Sequence, residues 1–281
     1  MSEQLLEEKH DSAARILRDL RRVVVAFSAG VDSTLVLKIA LDTLGQGNVL
    51  AVTGRSASVP QSELGEAAKL AGCLGAEHVL IDTSEFENAD YLVNPTNRCY
   101  FCKTTLYEHL DRLAGERGFQ AIVNGTNADD LGDHRPGLLA ASEHGVRSPL
   151  AESGFSKGDV RELSRRLGLP THDKPAGPCL SSRVQYGEEI TPEKLRRIEA
   201  AESYLKSLGI RECRVRHHHN LARIEISPES FPLCVDAAVA PKIDAYFRSI
   251  GYAYVTLDLR GFRSGSMNEV LIEVRRPKSV G

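Results

Sequence analysis

One junction constrains the fold more than any other feature. The apolar run Val23-Val24-Val25-Ala26-Phe27 passes through the small-residue segment Ser28-Ala29-Gly30-Val31-Asp32-Ser33-Thr34 into a helix pattern covering Ser33 to Leu44. The unit then repeats: Val49 to Thr53 is strand-like, Gln61 to Leu74 helical after Pro60, and Val79 to Ile81 strand-like. Thr104 to Arg117 is helical and Ala121 to Val123 strand-like again. An amphipathic stretch, with Leu5, Leu6, Ala13, Ile16, Leu17 and Leu20 apolar, precedes the first run. Short apolar strands separated by helices of this length pack as a parallel sheet covered on both faces. The expected fold class is α/β, a doubly wound parallel sheet over residues 1–170.

From Gln185 the rhythm changes. Thr191-Pro192-Glu193 sets a hydroxyl cap, a first-turn proline and an acid ahead of a helix running to Leu208, where Gly209 can end it. Strand-like runs follow at Cys213 to Arg216 and Leu221 to Ile226, then a helix around Ala237 to Ile250. Tyr252 to Leu259 and Glu269 to Val274 are strand-like. The order α-β-β-α-β-β suggests a smaller C-terminal α+β domain, residues 187–281, with an antiparallel sheet. A Pro/Gly-rich linker, residues 171–186, carries Cys179.

With 42% hydrophobic and 26% charged residues in 281, the chain is composed as a globular protein. Its apolar runs fall short of the roughly 20 residues of a membrane span, and the N-terminus lacks the basic-then-apolar order of a signal peptide. A cytoplasmic protein is expected. A net charge of -3 supplies no global attraction to nucleic acid. The cations are 25 Arg and 10 Lys, a bias that favours bidentate contacts to phosphate or carboxylate. Six cysteines are too few for a disulfide scaffold of this size and point to core, metal or catalytic roles.

The segment after the first strand is a phosphate cradle by physical design. Small residues let backbone approach an anion, free N–H groups at the helix start point toward it, and the hydroxyls of Ser28, Ser33 and Thr34 add donors. It lacks the Lys-Ser/Thr ending of a Walker A loop. Cys99-Tyr100-Phe101-Cys102-Lys103 places a CxxC element at the head of a helix pattern, open to zinc, redox or core roles. Cys179 stands in Lys174-Pro175-Ala176-Gly177-Pro178-Cys179-Leu180-Ser181-Ser182-Arg183, a segment too rich in Pro and Gly for regular helix. Cys73, Cys213 and Cys234 lie in apolar periodic contexts and read as core thiols. His217 and His219 share a strand face, read as solvated and polar rather than metal-binding. Arg214 and Arg216 share a face too, fitting a substrate phosphate or an exposed charged surface. Asp129 and Asp130 follow a strand at the carboxyl edge of the sheet, where they could join Asp32 around Mg²⁺ or cap a helix.

The cradle resembles that of the PP-loop ATP pyrophosphatases, whose pattern is Ser-Gly-Gly-x-Asp-Ser, with Ala29 standing where that pattern has glycine. Further segments narrow the resemblance: Asn94-Pro95-Thr96-Asn97-Arg98 through Lys103, Asn124-Gly125-Thr126-Asn127-Ala128-Asp129-Asp130, Asp133-His134-Arg135-Pro136-Gly137, the Cys179 segment, and Arg214-Val215-Arg216-His217-His218. Over nearly its whole length the chain is similar to the LarE family of sulfur transferases. That resemblance implies ATP-dependent, adenylating insertion of sulfur into a pyridinium dicarboxylate mononucleotide, a step toward a nickel-pincer cofactor. Ser28, Gly30, Asp32, Ser33 and Thr34 would hold the ATP phosphates. Arg214 and Arg216 would hold the substrate phosphate, and Lys103 and Arg183 would stabilise developing charge.

Members of the family fall into two chemical types. In one, a lone cysteine matching Cys179 gives up its own sulfur and becomes dehydroalanine. In the other, three cysteines matching Cys99, Cys102 and Cys179 hold an iron–sulfur cluster that carries a transferable sulfide. This chain has all three, so a 4Fe-4S cluster with one open iron is the expectation. Sulfide or another sulfur donor is then a partner, and a homo-oligomer is expected. The rivals are a PP-loop tRNA thiolase and a non-catalytic nucleotide-binding module stabilised by zinc, with His172 as a fourth ligand.

Overall fold

The computed structural model describes residues 3–132, 136–175, 177–263 and 266–268. Two compact units emerge, one of Met1–Tyr91 with Pro95–Gly177 and the other of Leu92–Asn94 with Pro178–Gly281. The segment read as a linker is shared between them, and Cys179 belongs to the second. The strand pattern at Glu269 to Val274 lies outside the described residues, as do Asp133, His134, Arg135 and Ala176.

In the first unit, strands β1 (Val23–Ala26), β2 (Val49–Arg55), β3 (Glu77–Asp82) and β4 (Ala121–Val123) form one sheet in the order β3-β2-β1-β4. Every pairing is parallel, with Val23 opposite both Val49 and Ala121. Alternation along β1 explains the continuous apolar run. Val23 and Val25 face one core with Leu17, Leu35 and Phe155, whereas Val24 faces another with Leu50, Tyr107 and Leu110. Helices Glu3–Leu20, Val31–Leu44 and Lys157–Arg166 contribute to the first core, and Arg98–Arg117 and Pro136–Glu143 to the second. The sheet is doubly wound, as its α/β pattern requires.

The chain steps from β1 to β2 to β3 in one direction and then returns to place β4 on the other side of β1. That reversal opens a crevice beyond the carboxyl ends of β1 and β4, the usual ligand position in an open α/β sheet. The segments following those two strands are Ser28–Ser33 and Asn124–Asp130.

The second unit contains helix Pro192–Ser207 and a sheet of β5 (Cys213–His218), β6 (Leu221–Ile226) and β7 (Tyr254–Leu257). Thr191 caps the helix by accepting from the Lys194 amide at 3.3 Å, with Pro192 in the first turn. The antiparallel expectation holds for β5 and β6 only, because β7 pairs parallel to β6. The reason is the intervening helix Ala240–Ser249, which carries the chain back to the end of the sheet at which β6 began. Its Ile243 and Phe247 are buried with Val215, Ile224 and Ile226.

Cys213 and Cys234 are buried, but Cys73 is exposed, which corrects its reading as a core thiol. Helix Gln61–Leu74 buries Leu64, Ala67 and Ala71. Two residues past Ala71 is about 200° around the helix, so Cys73 faces away from the core.

Candidate active site

Helix Val31–Leu44 begins at Gly30 with no side chain capping its first amides. Those N–H groups, with the positive end of the helix dipole, are what an incoming anion would satisfy. Ser28 is exposed at the rim. The Ser33 hydroxyl holds the loop together, accepting from the Ser28 amide at 3.3 Å, lying 3.2 Å from the Ser28 Oγ and donating to the Gly30 carbonyl at 3.3 Å. Thr34 is fully buried, and its amide donates to Gly30 O at 3.0 Å, so its hydroxyl is not presented at the rim as that of Ser28 is.

Ala29 takes φ +53°, the left-handed conformation that favours glycine. Its methyl is buried in the first core. Ala29→Gly would relieve about 1–2 kcal/mol of backbone strain. Against that stand about 0.8 kcal/mol of lost methyl burial and about 0.5–1 kcal/mol of extra chain entropy. These nearly cancel, so a denaturation midpoint close to wild type is expected; a loss above about 2 kcal/mol would show that packing of the methyl dominates.

Asp32 sits at the centre of a network that the sequence reading did not assemble. Its carboxylate pairs with the Lys157 ammonium and accepts from Asn127 Nδ2 at 3.1 Å. Asn127 is fixed by its other atom, because Oδ1 caps helix Ala128–Leu131 by accepting from the Asp129 and Asp130 amides. Lys157 is placed by Asp129, whose Oδ2 accepts from the Lys157 amide at 2.8 Å. Asp130 accepts from the Asn127 amide at 3.1 Å, completing a capping box. Both acids therefore do structural work, the helix-capping side of the two readings open from sequence. Among the described residues no group of three or more His, Cys, Asp or Glu side chains is arranged to hold a metal ion. Gly125 explains the rest of its motif: a Cβ there would lie 2.6 Å from the Ser33 amide nitrogen, so only glycine lets the segment after β4 pass this close to the cradle.

A second lysine converges on the same loop. Lys174 Nζ donates to the Ala29 carbonyl at 3.2 Å and to Glu66 at 2.8 Å. Neither Lys157 nor Lys174 could be placed from the sequence, because each reaches the cradle from more than 120 residues away.

Cys99 lies in the first turn of helix Arg98–Arg117 and is exposed, and Cys102 opens the second and is half-buried. Three residues apart, they share a helix face. Lys103 follows on that turn, exposed, with Nζ 5.9 Å from the Tyr107 ring centre. In the second unit Cys179 is half-buried at the head of a short turn, Leu180–Arg183. Its carbonyl accepts from the Ser182 hydroxyl at 2.7 Å and from Arg183 Nη1 at 2.9 Å. Arg183 is buried, forked onto the buried Glu202, and also donates to the Pro178 carbonyl. It was expected to stabilise charge in the reaction; the geometry makes it the brace of the backbone around Cys179. No disulfide joins any of the six cysteines. Burial pushes the Cys213 thiol up to about 12, whereas Cys99, Cys102 and Cys179 are within reach of solvent. His172 Nδ1 is bonded to the Leu169 carbonyl at 3.0 Å.

On the non-core face of the second sheet, Arg214 lies opposite Glu225 and Arg216 opposite Arg223. The face is not the exposed alternative considered from sequence. Arg216 is buried and forked onto the fully buried Glu225, with Ser266 and the Ser182 carbonyl as further partners. Arg214 is half-buried, stacked 5.1 Å over the Phe262 ring. Nor do His217 and His219 form a solvated pair. His219 turns out at the hairpin with φ +53°, while His217 is buried beside Tyr252 and Glu188, where burial pushes its imidazole down to about 4 and keeps it neutral.

Removing the Arg216 head group would strand Glu225. A broken buried pair costs about 3–5 kcal/mol, and Arg223, 3.2 Å from Glu225, moderates the loss toward the lower figure. Arg216→Ala should therefore lower stability by about 3 kcal/mol in chemical denaturation, and Arg216→Ala with Glu225→Leu should recover most of it. An Arg216→Ala protein as stable as wild type would show the pair to be dispensable.

A parallel sheet with an uncapped, hydroxyl-lined helix start at its switch point is the arrangement of a nucleotide-binding α/β domain, here of the PP-loop class. The NAD synthase family model matches residues 15–93, which span the first three strands. The chain belongs to the LarE family, that of the pyridinium-3,5-bisthiocarboxylic acid mononucleotide synthases. The synthase of that name from Lactiplantibacillus plantarum is 42% identical over 96% of this chain and 97% of its own length. An uncharacterized protein of Synechocystis sp. is 49% identical over 95% of the chain and 99% of its own. Another, from Methanocaldococcus jannaschii, is 28% identical over 87% of the chain and 92% of its own.

Proposed function

We propose that this protein makes a thiocarboxylate from a pyridinium-3,5-dicarboxylate mononucleotide in nickel-pincer cofactor biosynthesis, as an ATP-dependent sulfur transferase. The observation that carries the reading is the extent of the similarity: it covers both units, the cradle and the Cys179 segment alike.

ATP lies across the carboxyl edge of the sheet, its phosphates on Ser28, Gly30, Ser33 and the amides that start helix Val31–Leu44. Lys157 is already positioned at the cradle to meet them. Mg²⁺ usually takes one or two carboxylates plus substrate phosphates, and the single carboxylate of Asp32 fits that demand. A substrate carboxylate oxygen attacks the α-phosphorus; the new O–P bond forms as the bond to pyrophosphate breaks, giving an acyl adenylate. Sulfur then bonds to the activated carbonyl carbon and AMP leaves. Lys103 stands near the charge that develops, and Arg214 and Arg216 bind the substrate phosphate, with Glu225 holding the Arg216 fork in place.

Three accessible thiols suit thiolate ligation of a 4Fe-4S cluster by Cys99, Cys102 and Cys179. Such a cluster would supply a transferable sulfide at its open iron. Cys179 is held for that role by the Arg183 brace on its own carbonyl. No helix among the described residues is long and apolar enough to cross a membrane, and a homo-oligomer working in the cytoplasm is part of this proposal.

The test is pyrophosphate release from ATP with the mononucleotide, with unmodified tRNA, or with neither. Release that depends on the mononucleotide is expected. Release with tRNA alone would make the protein a tRNA thiolase, and none in any arm would leave a binding module.

A further inference from the structure

The nucleotide site and the chain entering Cys179 share one piece of scaffold. Helix Lys157–Arg166 presents Lys157 to Asp32 at its first turn. One turn later, Arg161 donates from Nη1 to the His172 carbonyl and from Nη2 to the Lys174 carbonyl, each at 3.0 Å. The Lys174 amide closes a turn onto the Thr171 carbonyl at 3.0 Å. The backbone of residues 171–174 is thus fastened, while the Lys174 side chain spans from it to the carbonyl of the strained Ala29. Lys174 is five residues before Cys179.

Its present partners are weak ones. Ala29 O is a neutral acceptor, and Glu66 is 60% exposed, so water screens that ion pair. A polyphosphate entering the cradle offers anionic oxygens within the reach of the same ammonium, and charge-assisted bonds to phosphate are about twice as strong as neutral ones. We propose that Lys174 is a positioning residue that exchanges Ala29 and Glu66 for an ATP phosphate and so couples occupancy of the cradle to the placement of the chain leading into Cys179. Sulfur chemistry is then readied only when nucleotide is bound. The inference rests on the ATP reading above.

The experiment is amide hydrogen exchange on the full chain, with and without a saturating ATP analogue that cannot be cleaved between the α- and β-phosphorus, alongside calorimetric affinity for that analogue. In wild type the analogue should slow exchange about fivefold or more in residues 169–175 and 177–183. Lys174→Met should weaken binding about tenfold, the scale of one charge-assisted contact, and abolish the slowing even at saturation, with Lys174→Arg recovering part of both. Lys157→Met should weaken binding and keep the slowing, which separates the coupling from simple charge in the site. If saturated Lys174→Met shows the wild-type slowing, the coupling is wrong and the ATP site stands. If wild type binds no analogue, both fall together.

Discussion

Asp32→Ala should reduce pyrophosphate release by about 10³-fold or more while the protein stays folded. The two halves of that expectation have different causes. Asp32 and Lys157 are 22% and 38% exposed, so their ion pair contributes only about 0–1 kcal/mol and the freed ammonium is resolvated. Asn127 keeps its capping bonds through Oδ1. The helix starts and the sheet are untouched, and the thermal midpoint should move little. Under the proposed mechanism turnover collapses because the carboxylate would have two tasks for the phosphates: to supply the negative ligand that Mg²⁺ requires, and to aim Lys157, with which it already pairs. Asp32→Asn retains the size and one acceptor but not the charge. If the metal role dominates, Asn should be as inactive as Ala; if aiming Lys157 dominates, Asn should retain about a tenth of the activity. Full turnover in Asp32→Ala would remove the PP-loop chemistry from this site.

The sequence made the first unit readable because its signals are local. Apolar runs bounded by helix patterns, glycine and hydroxyls at the first strand-to-helix turn, and Asn-Gly after β4 each act within about ten residues. The second unit was read less well, and β7 shows why. Whether a strand pairs parallel or antiparallel is decided by the crossover helix before it, not by its own alternation. Charged residues were the other failure. Arg183, Arg216 and His217 sit at strand and turn positions whose polarity suggests solvent, but each is buried with a carboxylate supplied from elsewhere: Glu202, Glu225 and Glu188. A buried polar pair leaves no periodic trace in one strand, because its partner lies on a different element. The lysines at the cradle were missed for the same reason. Their contacts close loops of 125 and 145 residues, distances at which only the folded topology carries information.

The sulfur source is decided by the cysteines, where an all-or-none loss is expected. Cys99→Ser, Cys102→Ser and Cys179→Ser should each lose iron and activity together, because removing one thiolate leaves a second iron of the cluster exposed and the cluster labile. None of the three is a core residue, so these losses should come without large changes in the unfolding midpoint. Cys213→Ser is the contrasting control: its thiol is buried with a weak bond to the Glu202 carbonyl, and the cost should appear in stability rather than in iron. Anaerobically purified protein should be brown, carry about four irons per chain and turn over repeatedly when supplied with sulfide. A sacrificial Cys179 would behave differently in every respect. Each polypeptide would act once, its mass would fall by one H₂S, position 179 would become dehydroalanine, and Cys99 and Cys102 would be replaceable. A colourless, iron-free wild type that loses that sulfur after a single turnover would overturn the cluster chemistry and leave standing the proposed adenylating half of the reaction, which is assigned to Asp32, Lys157 and the cradle and precedes sulfur transfer.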